Sequence, residues 1–101
     1  MLIVIGEAEA APGHREEMLE AVAAMAAATK SDEGCVSYGF YADVTQPDVI
    51  LGVEVWRDQA ALDAHITHDH TVEFIATVPS LVAGQPVLRF YDADPIQEEA
   101  R

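Results

Sequence analysis

Basic residues, cysteine and long apolar runs are all scarce in this sequence of 101 residues. Five Lys and Arg residues stand against 18 Asp and Glu residues, which gives a formal net charge of −13 at pH 7. Such a surface repels nucleic-acid phosphates and anionic lipid headgroups, so we expect neither nucleic acid nor a membrane as a partner. Half of the residues are hydrophobic, which excludes an acidic disordered chain and indicates a folded protein.

The single cysteine, Cys35, excludes an internal disulfide and a multi-thiolate metal site. It is typical of a reducing compartment, so we predict a cytoplasmic location. The apolar N-terminus, residues 1–5, is short and lacks a basic flank, which argues against a signal peptide or membrane helix. The six glycines are scattered, so no phosphate-binding loop and no nucleotide cofactor is predicted.

The length of the chain predicts a single domain over residues 1–101, with residues 92–101 as a loose acidic tail. A domain of this size buries only about 60–65% of its unfolded surface. A second subunit that shares apolar area would therefore stabilise it.

Hydrophobic periodicity predicts alternating strands and helices. In chain order these are a strand over 1–10, a helix over 14–30, strands over 36–44 and 49–56, helical segments over 58–65 and 69–78, and a strand over 87–91. The order β-α-β-β-α-β is the split βαβ pattern of ferredoxin-like folds. We therefore predict an α+β fold with a four-stranded antiparallel sheet and helices on one face.

The second face of this sheet is also apolar. Val49, Leu51, Val53 and Val55 alternate along one strand and share one side of it. An apolar face of this size needs a cover, and two such sheets packed face to face form a dimeric α+β barrel. The pattern therefore predicts a homodimer that associates through the sheet face.

Three histidines, His65, His68 and His70, lie within six residues and raise the question of a metal site. On a helix, His65 and His68 can meet across one turn, whereas His70 cannot join them and Asp69 would have to swing round. We therefore expect no metal site, and the plain interpretation is that these residues lie at a helix junction.

Glu54 lies on the strand face that looks toward the helices, with Tyr38 on the same side of the neighbouring strand. A carboxylate in that position needs a partner or a raised pKa. It is either a general base or a structural carboxylate bonded to a tyrosine hydroxyl or a helix N-terminus. The nearby aromatic residues are then either core or pocket lining. They are Tyr38, Phe40, Trp56, Phe74 and Phe90.

A set of short motifs in a fixed order resembles the antibiotic biosynthesis monooxygenase family. The motifs are Glu33-Gly34-Cys35 with Tyr38, Glu54-x-Trp56, Ala60-Ala61-Leu62, His65, and His70 with Phe74. The resemblance extends from the first strand to Tyr91. It implies a dimeric α+β barrel with a cavity between sheet and helices in each subunit. It also implies oxidation of an aromatic quinol or polyphenol by O₂ without a metal, flavin or other cofactor.

The resemblance also implies roles for individual residues. His65 and His70 would serve as the catalytic base or hydrogen-bond donor, and Glu54 would orient one of them. The substrate-binding wall would comprise Trp56, Tyr38, Phe74 and Phe40. Two alternatives stay open: an isomerase or lyase of the same barrel type, and a non-catalytic dimer that binds a small molecule or is associated with stress.

Haem degradation is not predicted. Haem-degrading relatives carry an Asn on the first strand, a Trp on the first helix after the hairpin and a haem-ligating His on the next helix. The matching positions here are Glu7, His65 and Ile75.

Overall fold

Four strands and three helices make up the computed structural model, which describes residues 1–100. The elements are β1 Leu2–Ala10, α1 Arg15–Thr29, β2 Cys35–Ala42, β3 Val49–Trp56, α2 Gln59–His65, α3 Asp69–Thr77 and β4 Val82–Asp92, with a 3-10 turn over Val78–Ser80. The last residue of the predicted acidic tail, Arg101, lies outside the described residues.

The strands form one sheet in the order β2-β3-β1-β4, and every neighbouring pair is antiparallel. This topology confirms the predicted α+β, ferredoxin-like fold. Glu54 on β3 pairs with Tyr38 on β2 and with Val4 on β1. The hairpin register is therefore the one that the sequence pattern predicted, and Tyr38 and Glu54 share a face of the sheet.

The helices cover the face of the sheet that carries Val4, Ile50 and Trp56, and the core lies between the two layers. The longest helix, α1, is rich in alanine, which has a high helix propensity. It buries four residues at helical spacing, as the periodicity predicted: Met18, Val22, Met25 and Thr29. Within residues 1–100, we find no helix with the length and apolar character needed to cross a membrane.

The last strand differs from the prediction. β4 begins at Val82 rather than Val87, so the Gly84-Gln85-Pro86 segment lies inside the strand. The register of the β1–β4 pair shifts between Glu7 and Glu9, and Gly84 adopts a φ of +72°. A bulge of this kind accommodates turn-forming residues without ending the strand, and an edge strand tolerates proline.

The face of the sheet away from the helices carries an apolar surface, which we call the open face. Ile3, Ile5, Val53 and Val55 lie on it, since side chains alternate along each strand. All four are only partly buried. No element within residues 1–100 covers this face.

Candidate functional site

A cavity of about 100 Å³ lies between the helices and the helix-covered face of the sheet. All four strands contribute to its lining, together with α1, α3 and the 3-10 turn. Its walls are largely apolar and include the side chains of Phe40, Phe74 and Leu88, with Glu54 as an ionisable group. The elements that the sequence predicted as sheet and helices therefore surround a site with aromatic walls. Two carboxylates line it: Glu7, which is exposed, and Glu54, which is partly buried.

Two glycines on the sheet make room for this cavity. Gly6 on β1 and Gly52 on β3 are directly opposite each other and both line it. A Cβ atom at Gly6 would lie 2.7 Å from Cδ2 of Leu88, and one at Gly52 would lie 3.0 Å from Cε1 of Phe40. Glycine in the interior of a strand is unfavourable, which is the sequence signal that could have identified these two positions.

Glu54 is partly buried, and its Oε1 accepts a hydrogen bond of 2.9 Å from Nε1 of Trp56. Burial raises the pKa of the Glu54 carboxyl above its usual value, because water no longer solvates the charge, while the indole N–H opposes this shift. Such a carboxylate binds a proton more tightly than an exposed one. It is therefore a stronger base when ionised.

Tyr38 faces Glu54 across the β2–β3 pair and is 8% exposed. Its burial and the neighbouring Glu54 carboxylate raise the pKa of its hydroxyl, so the phenol stays protonated at neutral pH. Its ring makes an edge contact with Phe40 at a centroid distance of 5.5 Å, and Phe40 lies 5.8 Å from Phe74. These three rings form one continuous aromatic wall.

A second group of polar side chains lies at the junction of α2, α3 and the loop that follows α1. We call Asp32, His65, His68 and His70 the histidine cluster. Oδ2 of Asp32 is 2.7 Å from Nδ1 of His65, 3.1 Å from Nδ1 of His68 and 3.0 Å from Nε2 of His70. The side chains of Asp32 and His65 are buried, with 6% and 3% of their surface exposed.

The local chain path explains how these residues meet. His65 is the last residue of α2, and His68 is the extended residue that precedes α3, with φ −67° and ψ 147°. The chain therefore bends between the two helices, and His70 in the first turn of α3 comes back toward His65. The expectation that His70 could not join was wrong, because it assumed helical spacing through this bend.

The carboxylate of the cluster is Asp32, not Asp69 as spacing alone suggested. Asp32 lies 33 residues before His65 in the chain. The turn that presents it ends at Gly34, whose φ of +78° lies in the left-handed region that favours glycine. The carbonyl of Gly34 accepts a hydrogen bond of 2.8 Å from the amide of Arg57, which ties this loop to the end of β3.

The charges of the cluster follow from burial and hydrogen bonding. Burial alone would raise the pKa of Asp32, but interactions with the three histidines outweigh it and hold that pKa below its usual value. Burial lowers the pKa of His65, and the Asp32 carboxylate only partly offsets this effect. An ionised Asp32 beside a neutral His65 is therefore the state at neutral pH.

The seven residues predicted for the site separate into two groups. Four of them line the cavity: Glu54, Tyr38, Phe40 and Phe74. The other three are absent from the cavity lining within the described chain: Trp56, His65 and His70. Trp56 is fully buried and contacts the ring of His65 at a centroid distance of 4.5 Å. It therefore lies between the histidine cluster and the Glu54 carboxylate to which it donates.

Glu54 does not orient a histidine. It accepts from Trp56, whereas the carboxylate that contacts both His65 and His70 is Asp32. The sequence placed Glu54 on the correct face, but it could not show which carboxylate the histidines reach, because the Asp32 loop is remote in the chain.

Comparison with known proteins identifies the family. The family model for antibiotic biosynthesis monooxygenase matches residues 1–77, so the chain belongs to that family. It is 32% identical over 80 residues to the Escherichia coli protein named "Probable quinol monooxygenase YgiN", covering 69% of this chain and 77% of that protein. It is also 33% identical over 90 residues to the uncharacterised Synechocystis protein sll1783, covering 89% of this chain and 61% of that relative.

Solved structures agree on the fold. A structure from Deinococcus radiodurans superposes with a TM-score of 0.90 at 24% identity, with 99% of both chains covered. PA3566 from Pseudomonas aeruginosa superposes with a TM-score of 0.85 at 26% identity, with 93% of this chain and 94% of that chain covered. The ferredoxin-like arrangement of four strands and three helices is thus shared with proteins of this family.

Proposed function

We propose that this protein is a monooxygenase that oxidises an aromatic quinol with O₂ in the cavity, and that Glu54 is the base. The observation that carries the proposal is a carboxylate with a raised pKa among aromatic walls. Family membership and the similarity to a protein named as a quinol monooxygenase support the same reaction class.

The chemistry needs a base and an apolar enclosure. An ionised Glu54 would remove a proton from a quinol hydroxyl, which makes the ring electron-rich enough to give electrons to O₂. One oxygen atom then enters the ring as a hydroxyl group, the other leaves as water, and the quinol is oxidised to a hydroxyquinone. Phe40, Phe74 and Leu88 would exclude bulk water from the reacting ring.

The size of the cavity limits how the substrate binds. In other proteins, an apolar cavity of about 150 Å³ holds one benzene ring. The cavity here has about 100 Å³, so a substrate ring fits only if part of the ring extends out of the cavity toward the surface. Leu88, which lines the cavity, and Phe90 are 57% and 59% exposed on the same face of β4. A second fused ring would lie on these two side chains.

His65 and His70 were predicted as catalytic residues, and that role remains a prediction. In the present proposal they act at a distance. The ring of His65 packs on Trp56, and the indole N–H of Trp56 positions Glu54. His65 is therefore a positioning residue. Asp32 holds its ring through Nδ1, and His70 makes a hydrogen bond to the same oxygen of Asp32.

The direct test is oxygen consumption with a panel of quinols that carry one, two or three rings, corrected for their autoxidation in buffer. We expect enzyme-dependent uptake that produces the hydroxylated quinone and that survives dialysis against a chelator, as expected of a reaction without a metal or other cofactor. No uptake with any quinol, together with thermal stabilisation by the same compounds, would instead support a non-catalytic binding protein. Turnover of an unsaturated acid or lactone without O₂ would support the isomerase or lyase alternative.

The open face supports a second part of the proposal, a homodimer that associates through the sheet. Its apolar side chains have no cover within residues 1–100, and a stable interface of this kind buries more than about 1,000 Å².

The predicted cytoplasmic location is also part of the proposal. Cys35 is a free cysteine among the described residues, which is typical of a reducing compartment.

Replacing Val53 with aspartate tests the dimer. Val53 lies at the centre of the open face, between Ile5 on β1 and Gly39 on β2. An ionised carboxylate buried there without a partner should weaken association by well over about tenfold. Sedimentation should give about twice the chain mass for the unaltered protein and a smaller mass for Val53→Asp.

The matched control is Val44→Asp, which makes the same change at a side chain that is 96% exposed. It should leave the mass unchanged. An unaltered protein that sediments as a monomer at micromolar concentration would rule out the dimer.

A further inference from the structure

The histidine cluster has the composition and geometry of a metal site that is separate from the cavity. We propose that Asp32, His65, His68 and His70 bind one divalent transition-metal ion of the Zn²⁺ type. One ligand atom from each residue lies within 4.8 Å of the other three. The expectation of no metal, which the linear spacing of the histidines suggested, is thus replaced by a specific site.

The distances suit a four-coordinate ion. Metal–ligand bonds of about 2.0–2.1 Å place the ligand atoms of a tetrahedral site roughly 3.3–3.4 Å apart. Oδ2 of Asp32 lies 2.7 Å, 3.1 Å and 3.0 Å from the three histidine nitrogens, just below that value. The largest separation between any two of the four ligand atoms is at most 4.8 Å, above that value. Small side-chain rotations would therefore bring all four ligand atoms to bonding distance of one ion.

Hydrogen bonding alone leaves the cluster incomplete. Three imidazole nitrogens converge on a single oxygen of Asp32, which has two lone pairs. His65 and His70 make hydrogen bonds to it, whereas Nδ1 of His68 is shielded from solvent and has no aligned hydrogen-bond partner. A buried nitrogen of this kind is costly unless something binds to it, and a cation would satisfy it together with the other three ligands.

Charge and ligand type favour the same class of ion. Imidazole nitrogen and carboxylate oxygen are ligands of Zn²⁺, and the site has a charge of −1 when its imidazoles are neutral. The net charge of −13 adds a long-range attraction for cations. His68 and His70 are 39% and 28% exposed, whereas Asp32 and His65 are buried, so an ion would enter from the side of His68 and His70.

The four ligands do not line the cavity, so metal binding goes beyond the proposed oxidation. His65 also packs on Trp56, so the metal site is tested by Zn²⁺ binding itself and not by activity. Bound metal would join the loop after α1 to the α2–α3 junction. The expected consequence is a rise in thermal stability with Zn²⁺ concentration, because the ion binds the folded chain.

Equilibrium dialysis of the chelator-treated full chain against Zn²⁺ measures the stoichiometry and the affinity. Co²⁺ bound in place of Zn²⁺ gives visible d–d absorption, which reports whether the ion has four nitrogen and oxygen ligands. We expect one ion per chain. His68→Ala removes a ligand that makes no aligned hydrogen bond, so this variant should fold normally and bind Zn²⁺ at least about 10–100-fold more weakly. Asp32→Asn should weaken binding similarly while keeping the side-chain shape.

His14→Ala is the matched control, because His14 is the fourth histidine of the chain and lies at the start of α1 with 43% of its side chain exposed. It should bind Zn²⁺ as the unaltered protein does. The proposal is overturned if the unaltered chain retains no stoichiometric Zn²⁺. It is also overturned if His68→Ala binds Zn²⁺ as tightly as the unaltered chain, or if His14→Ala loses as much affinity as His68→Ala. Either of these two results would indicate adventitious surface binding.

Discussion

Replacing Glu54 with glutamine is expected to lower the rate of quinol oxidation by about 10²–10⁴-fold, the usual contribution of a positioned general base. Glutamine has the shape of glutamate and its carbonyl oxygen can still accept the hydrogen bond from Nε1 of Trp56. The change therefore removes the proton-accepting charge and leaves the aromatic wall in place. The loss should fall mainly on kcat, because the apolar contacts that bind the ring persist.

The same substitution is expected to stabilise the protein at neutral pH. The pKa of Glu54 is higher in the folded chain than in the unfolded chain, mainly because the carboxylate is desolvated. The folded state therefore holds this proton more tightly than the unfolded state does. The stability that the protonated Glu54 contributes is lost as the pH rises from the pKa of the unfolded chain through that of the folded chain. Glu54→Gln should remove that loss, since an amide does not ionise.

Urea denaturation of the unaltered protein and of Glu54→Gln measures the effect, at pH values from below the unfolded pKa of Glu54 to above its folded pKa. Trp56, Tyr38 and the rest of the site are the same in both proteins. The stability advantage of Glu54→Gln should grow as the pH rises and then level off above the folded pKa. Glu20→Gln, which alters an exposed carboxylate on α1, should change neither activity nor this pH dependence. Near-normal activity in Glu54→Gln would show that Glu54 is not the base. A stability advantage of Glu54→Gln that shrinks with rising pH would contradict the argument that burial desolvates the carboxylate.

Truncating Trp56 to alanine is expected to cost about 3–5 kcal/mol of unfolding free energy, the range for removing a large aromatic side chain from a core. Trp56 is completely buried, and its ring contacts Tyr38 and His65 at centroid distances of 6.3 Å and 4.5 Å. For a domain of this length such a loss lowers Tm by more than about 10 °C. Calorimetry or chemical denaturation measures it directly.

Trp56→Phe separates packing from hydrogen bonding. The phenyl ring keeps much of the volume, so the stability loss should be clearly smaller than in the alanine variant. The donor to Glu54 is gone, so the pKa of Glu54 should rise further, because the indole N–H is the interaction that lowers it. A pH–rate profile displaced to higher pH would follow, whereas an unchanged profile would show that Trp56 acts only through packing.

Much of the fold was predictable because local patterns and global structure agree. Period-two alternation placed Tyr38 and Glu54 on one face of a hairpin, and the spacing of Met18, Val22 and Met25 marked the buried side of α1. β4 was predicted too short, since Gly84-Gln85-Pro86 has the composition of a turn. Only pairing with β1 across a bulge makes those residues part of a strand.

The functional residues divide along the same line. Sequence patterns were sufficient to predict the fold, the apolar second face of the sheet and the position of Glu54 among aromatic side chains, because these depend on alternation and on neighbours that are close in the chain. The three-dimensional structure was needed to show that Trp56 donates a hydrogen bond to Glu54 and that Asp32 lies among three histidines. For Glu54 and Trp56, alternation places both side chains on one face of β3 but carries no information about which polar atom Glu54 contacts. For Asp32, the contact depends on where the chain bends between helices, and hydrophobic periodicity carries no information about two polar atoms that lie 33 residues apart.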